Sequence, residues 1–515
     1  EFTTALPIQF LAGGGTPTID TGSYSITWNA PITGYAGFTK IGSGVLVLAA
    51  TNSYSGGVSI TSGVIQAQTS GALGASGNSL FVDSAGILDV HGNNLTLGAI
   101  SGTGTVDNLG FPSPTAGLTV GDGDASGTFG GVIKSSAGYL ALTKIGSGTL
   151  ALSGKNVYRG RTTVTAGVLY AGASGALSPS SSFSVTGGTL DSGAYPQTIQ
   201  SLTLGNSATL NLIAGAPLTV AGSATLGGAL NVSGIANGQP NAILMSYPSE
   251  TGAFASAHLP GGDTLQFAAK QVSLVYPQWN ASRGNWSANL NWSSAAPNGP
   301  GQTAVFVQLP ISSVTVAIDQ PVTLGALVLG STTGGGTSYT VGGPSSLSFD
   351  NSGSTAFINT LAGTHTLGAP IDLKSSLLVM SASGSTLTID GDITENQSSS
   401  LTLTGSGTLV LSGSNTYTGG TNVNAGTLEI LGSSALPDGT SLTVGAGATF
   451  IFDPAYPSGG VAVGSAVVSA VPEPGILALL TAAVCGAALY RSVRSRRQKP
   501  RVTLAGKVGS ASNDC

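Results

Sequence analysis

Charged side chains make up only 7% of this chain of 515 residues, so a site built from paired carboxylates or a metal cluster has few residues to draw on. Cysteine is absent before Cys485, and Cys515 is the only other one, which excludes a disulfide framework or a cysteine metal site from the body and is compatible with an oxidising compartment. Histidine occurs three times, at His91, His258 and His365, far apart in sequence. Aromatic residues are 6% of the chain. Basic residues are few as well: residues 1–470 hold 9 Lys and Arg against 19 Asp and Glu, so the body has no electrostatic footprint for nucleic acid. What is abundant is glycine, 79 residues, alongside 41% hydrophobic residues. Without a three-residue period this is not collagen, and the apolar content is high enough to form a core, which argues against disorder.

One stretch occurs three times without a gap, at 38–68, 142–172 and 401–431. The copies superimpose Gly42 and Gly44 on Gly146 and Gly148 and on Gly405 and Gly407. They also superimpose Tyr54 on Tyr158 and Tyr417, and Gly63 on Gly167 and Gly426. Apolar positions agree in type, as in Leu46 and Leu48, Leu150 and Leu152, Leu409 and Leu411. Such a chain stacks copies of one small unit into a solenoid, and its function is spread over a surface. Within the unit the pattern alternates in short runs, as in 408–412, where Leu409 and Leu411 share a face. Turn chemistry separates the runs: Gly-Ser-Gly, Asn415 to Gly420, and Asn424-Ala425-Gly426. Strands of three to five residues between such corners predict an all-β chain folded as a parallel β-helix. At roughly 20 to 25 residues per coil the body holds about 20 coils, and at ~4.8 Å per coil it is a rod on the order of 100 Å. The aligned glycines Gly63, Gly167 and Gly426 are expected at corners that need positive φ or close backbone approach.

Two places break this texture. Trp279, Trp286 and Trp292 cluster ahead of a Pro-Asn-Gly-Pro-Gly run at 297–301, which predicts a junction between solenoid segments 1–276 and 277–458, with tryptophan sealing a coil end. After a linker at 459–470, Val471, Pro472, Glu473 and Pro474 precede sixteen largely apolar residues, 475–490, and then Arg491, Arg494, Arg496, Arg497, Lys499 and Arg501. This reads as a short transmembrane helix with a positive cytoplasmic stop, spanning 471–499, followed by a disordered tail at 500–515. Glu1 is not an initiator methionine and no leader precedes it, which reads as a processed or incomplete form.

The repeat resembles the autotransporter-associated β-strand repeat, whose pattern is Lys-x-Gly-x-Gly-Thr-Leu, a Gly-x-Asn-x-Tyr turn and an Ala-Gly-Thr-Leu return. Here it stands as Lys144, Gly146, Gly148, Thr149 and Leu150 with Asn156 and Tyr158, and as Gly405 to Leu409 with Asn415, Tyr417 and Ala425 to Leu428. Copy three has Leu403 in place of the lysine, and copy one has Val45 in place of the threonine. The tail is similar to a PEP-CTERM sorting signal. That resemblance implies export through the Sec machinery, processing by an exosortase-like enzyme, and passage from an inner-membrane anchor to the cell surface or beyond.

No catalytic, cofactor or metal site is assigned. The densest acidic spot, Asp122 and Asp124 in Gly-Asp-Gly-Asp, lacks calcium-loop spacing and reads as a turn. Asp390 with Asp392, or Asp83 with Asp89, would be the carboxylate pairs of a polysaccharide-active β-helix enzyme, yet acidic residues at coil corners explain them more simply. Tyr54, Tyr158 and Tyr417 form either an exposed row for stacking sugars or a structural corner ladder. The reading is an exported envelope or extracellular-matrix structural protein, not an enzyme. The alternatives are an adhesin that binds extracellular polysaccharide and, last, a polysaccharide-active enzyme.

Overall fold

The computed structural model describes residues 2–453 apart from 12, 14, 111–114, 235–240, 261–262, 307–310 and 331–336, together with the backbone of 466–469. The described residues form an all-β parallel solenoid of about 19 turns. Among the described residues the only helical pieces are two 3-10 turns, Asp122–Asp124 and Asn289–Asn291. No helix there is long and apolar enough to cross a membrane. The sorting residues Val471, Pro472, Glu473, Pro474, Arg491, Arg494, Arg496 and Arg497, and the transmembrane helix read at 475–490, lie outside the described residues.

Each coil passes through three faces, and inward side chains stack in register from coil to coil. One column runs Leu150, Leu169, Leu190, Leu210 and Leu230. In the second segment another runs His365, Leu387, Leu409, Leu428 and Phe450. Alternation puts these residues inside because successive side chains of a strand point to opposite faces. Burying each apolar side chain of these columns contributes about 1.5–3 kcal/mol. Two strands far exceed the expected length. Val58–Ala67 and Leu80–Asp89 each run 10 residues, because Gly63 and Gly86 let the chain round a corner with its inter-coil hydrogen bonding intact apart from one register shift. These long strands join two faces into one 17-stranded sheet.

The apolar interior forms two clusters, one from Phe10 to Tyr276 that also takes in Val305 and Val328, and one from Trp279 to Phe450. The first ends in an antiparallel hairpin, Thr264–Ala268 with Gln271–Val275, laid against Asn241–Ser246. The second opens on buried Trp279, Trp286 and Trp292 packed around Phe306, with ring centroids 4.8 to 5.8 Å apart. Each indole N–H is satisfied by a nearby carbonyl: Ala281, Pro297 and Trp286. At the far end 466–469 pairs antiparallel with Thr449–Asp453, so that edge is also covered.

Candidate functional site

The three repeats share one corner geometry. Gly42, Gly146 and Gly405 have φ of 81°, 65° and 90°, and Gly63, Gly167 and Gly426 have φ of 70°, 62° and 84°. At Gly63 and Gly167 a Cβ would sit 2.4 and 2.2 Å from the carbonyl oxygens of Gly44 and Gly148, so close approach as well as positive φ demands glycine. The same hypothetical Cβ atoms would lie 2.8 Å from the Lys40 and Lys144 ammonium groups. The missing side chain therefore leaves the space into which each lysine head folds.

Both lysines occupy inward positions and are completely buried. Lys40 Nζ donates to the carbonyls of Ile41, Gly42 and Ser62 at 3.0, 2.8 and 3.1 Å. Lys144 Nζ donates to Ile145 and, at 2.8 Å, to Gly146. These carbonyls cluster around the corner, Ser62 within the long strand Val58–Ala67 and Ile41 also accepting from the Thr21 N–H. Burial pushes the Lys40 ammonium down to about 8, partly opposed by the Asp20 carboxylate, and lowers Lys144 similarly against Asp124. In copy three Leu403 fills the position with an apolar chain.

Asn156 and Asn415, which stand in the repeat pattern as turn residues, and Asn52 at the same place in copy one are each buried and central to the unit. Each side-chain carbonyl accepts from a backbone N–H of the preceding coil, those of Ile32, Ile133 and Ile393, at 2.8, 2.7 and 2.9 Å. Each amide donates to a carbonyl of the following coil, those of Ala72, Ala176 and Ala435, at 2.6, 2.7 and 2.6 Å. On that face the strands Ile32–Gly34, Val132–Ile133 and Ile393–Glu395 are the last before the asparagine. The side chain thus replaces one missing rung of backbone pairing and ties three coils together.

Tyr54, Tyr158 and Tyr417 are fully buried, which rules out the exposed sugar-stacking row. The Tyr158 hydroxyl shares a 2.7 Å hydrogen bond with Thr162, and Tyr417 a 2.6 Å bond with Thr421. Copy one has Val58 at that offset, and Tyr54 reaches only the Ala72 carbonyl at 3.5 Å. Burial raises all three phenols, Tyr417 to about 12.

The carboxylates considered for chemistry are engaged in turns. Asp390 and Asp392 flank Gly391 in a corner and accept from different groups, the Ser412 hydroxyl at 2.6 Å and the Ser414 N–H at 2.7 Å. Asp83 and Asp89 lie on opposite sides of the Gly86 corner, so they do not form a pair. Asp89 is buried and accepts from His91 N–H, Leu109 N–H, Gln66 and the His91 ring. Asp122 accepts from the Ser76 hydroxyl, and the Ser147 N–H holds Asp124 below the usual carboxylate range. His258 is exposed. His365 is a core residue: Nδ1 accepts from the Tyr339 N–H at 3.2 Å, Nε2 bonds the Ala362 carbonyl at 2.8 Å, and burial lowers its pKa. Among the described residues no three His, Cys, Asp or Glu side chains gather as metal ligands.

A family model described as the passenger-associated-transport-repeat matches residues 38–67, 142–171 and 401–430. A curated relative, the adhesin BmaC autotransporter of Brucella suis biovar 1 (strain 1330), is 32% identical over 170 residues. That match covers 32% of this chain and 5% of the adhesin, so the chain spans a small fraction of that relative's length. No solved structure matches the chain.

Proposed function

From a β-solenoid that carries three passenger-associated-transport repeats, we propose an exported bacterial surface protein whose rod makes adhesive contacts through its flanks and catalyses no reaction. The observation that carries this reading is the repeat itself, whose glycine, lysine, asparagine and tyrosine are all consumed in holding coils together, alongside the similarity to an autotransporter adhesin. Extracellular polysaccharide is the partner class this reading favours. The carboxylates that an enzyme would need are spent on corner hydrogen bonds, which supports a non-catalytic role. The test is whether antibody against the body labels intact cells and whether deletion reduces their attachment. A chain found only inside the cell, or unchanged attachment, overturns the proposal.

Delivery is proposed to run through the Sec machinery and an exosortase-like enzyme, with 475–490 as the anchor. Six basic residues follow that run within 491–501 and only Glu473 flanks it before, so the basic end stays in the cytoplasm. A reporter active only in the periplasm, fused after Arg497, is expected to be silent. Strong activity there reverses the orientation, and a fully soluble chain removes the anchor.

A further inference from the structure

The eight-stranded sheet that runs from Asn94–Leu97 to Ser249–Gly252 carries one hydroxyl per strand in a single outward column, from Thr96 to Thr251, with Ser184 its only serine. On its last four strands a second column of serines, 182 to 249, stands two residues away and completes a two-dimensional array. The second segment repeats the arrangement independently. Strands Ser313–Ala317, Ser338–Gly342, Thr364–Leu367 and Thr386–Ile389 each begin with Ser or Thr, an inward residue, and Thr.

Among the described residues these hydroxyls are almost entirely unused by the protein, and what sets them apart is their alignment in register across strand after strand. Corner residues such as Thr61, Thr165 and Ser412 spend theirs on backbone carbonyls or carboxylates. In both arrays the only hydrogen bond between side chain and protein among the described residues is Thr251 to Thr225 at 3.3 Å. The hydroxyl columns of these strands contain no charged or aromatic residue, and the nearest exposed charges are Arg161 before Thr163, Glu250 on the last strand and Arg283, which pairs with Thr315. A charged polymer finds few partners in these columns, and the face offers no concave, aromatic-lined pocket for a small ligand.

We propose that these two hydroxyl–methyl arrays bind the surface of ice. The reason is the match of a rigid period to a rigid lattice. Water oxygens linked tetrahedrally at about 2.75 Å repeat every ~4.5 Å along a row, against ~4.8 Å between neighbouring strands. Perpendicular to that row the same lattice repeats at about 7.4 Å, against ~6.7 Å between alternate residues of a strand. Both spacings agree to roughly a tenth. Each threonine offers a hydroxyl to continue the lattice and a methyl to exclude loose water between rungs. The partner is neutral, as the hydroxyl columns are, and this reading does not depend on adhesion to cells.

The experiment places the full-length chain in a growing ice front and in a recrystallisation assay. The parent chain is expected to be incorporated into the ice and to arrest grain growth. The quadruple variant Thr163→Tyr, Thr203→Tyr, Thr340→Tyr, Thr388→Tyr is expected to lose both effects, whereas Ser59→Tyr with Thr128→Tyr, outward on another face, retains them. The same four positions changed to Ala provide a milder set if the tyrosines disturb folding, checked by an unchanged melting curve. Exclusion of the parent from ice overturns the proposal, as does equal loss in the Ser59/Thr128 variant. Retention on an insoluble neutral polysaccharide that the four substitutions abolish, with no adsorption to ice, assigns the face to a glycan and overturns it too.

Discussion

Replacing Asn156 by alanine removes the side chain that stands in for a strand. Its carbonyl accepts the Ile133 N–H at 2.7 Å, and its amide donates to the carbonyls of Ala176 at 2.7 Å and Gly154 at 3.2 Å. Alanine leaves at least one buried N–H and one buried carbonyl without these partners, at about 1–3 kcal/mol each. The expected loss is therefore about 2–6 kcal/mol, felt first in the three coils that the side chain joins. Because solenoid coils open locally, a global melt would dilute the effect. The sensitive assay is native-state hydrogen exchange at the Ile133 amide, where even the lower bound means about thirtyfold faster exchange, each 1.4 kcal/mol being tenfold. Asn231→Ala is the control, since the Asn231 amide bonds only to Asn211 on the outer face. Unaltered exchange at Ile133, or equal acceleration in the control, refutes the bridging role.

Gly167→Val should destabilise by about 3 kcal/mol or more, since it combines positive φ with a clash against the Gly148 and Gly146 carbonyls and the Lys144 head. Gly447→Ala, also at positive φ but with open space around it, should cost only about 1 kcal/mol in a urea melt, and equal costs would refute the clash. Tyr158→Phe should cost about 1 kcal/mol by removing the hydroxyl partner of Thr162, whereas Tyr54→Phe should be near neutral because its one bond is long; denaturant midpoints of the two variants decide. His365 is held neutral by burial, so its folded pKa lies below the unfolded value. As pH falls below the ordinary histidine value of about 6.5 the unfolded chain takes up the proton first, stability declines until the folded pKa is passed, and a flat pH profile would contradict this.

The solenoid was legible because its signals are periodic: alternating Leu409 and Leu411, glycines aligned at Gly63, Gly167 and Gly426, and turn chemistry between them. The asparagine bridge was not, because its hydrogen bonds connect residues about 20 positions apart and no local pattern marks a side chain that replaces backbone pairing. The lysines of the repeat gave no hint of burial, since an ammonium enters the interior only where a glycine corner provides both the space and the carbonyls. Tyr54 and its counterparts were ambiguous for a similar reason, as a tyrosine after a turn faces either way until the corner closes over it. The hydroxyl columns emerge only once the register between coils is known, because their members lie 19 to 26 residues apart in sequence.

The asparagine of copy one interrupts the face that begins with Ile8–Phe10 and Ile32–Gly34, whereas that of copy two interrupts the face that carries Val132–Ile133. The 104-residue offset between them is therefore not a whole number of turns. Each repeat acts as a phase marker: its distance from the previous one decides at which azimuth around the rod a break falls, and so which flank is left unbroken. Adding or deleting one full coil between copies would lengthen the rod and preserve that azimuth. A change of a third of a coil would turn every downstream break to a different side and redraw the molecule's outer surface without altering a single corner.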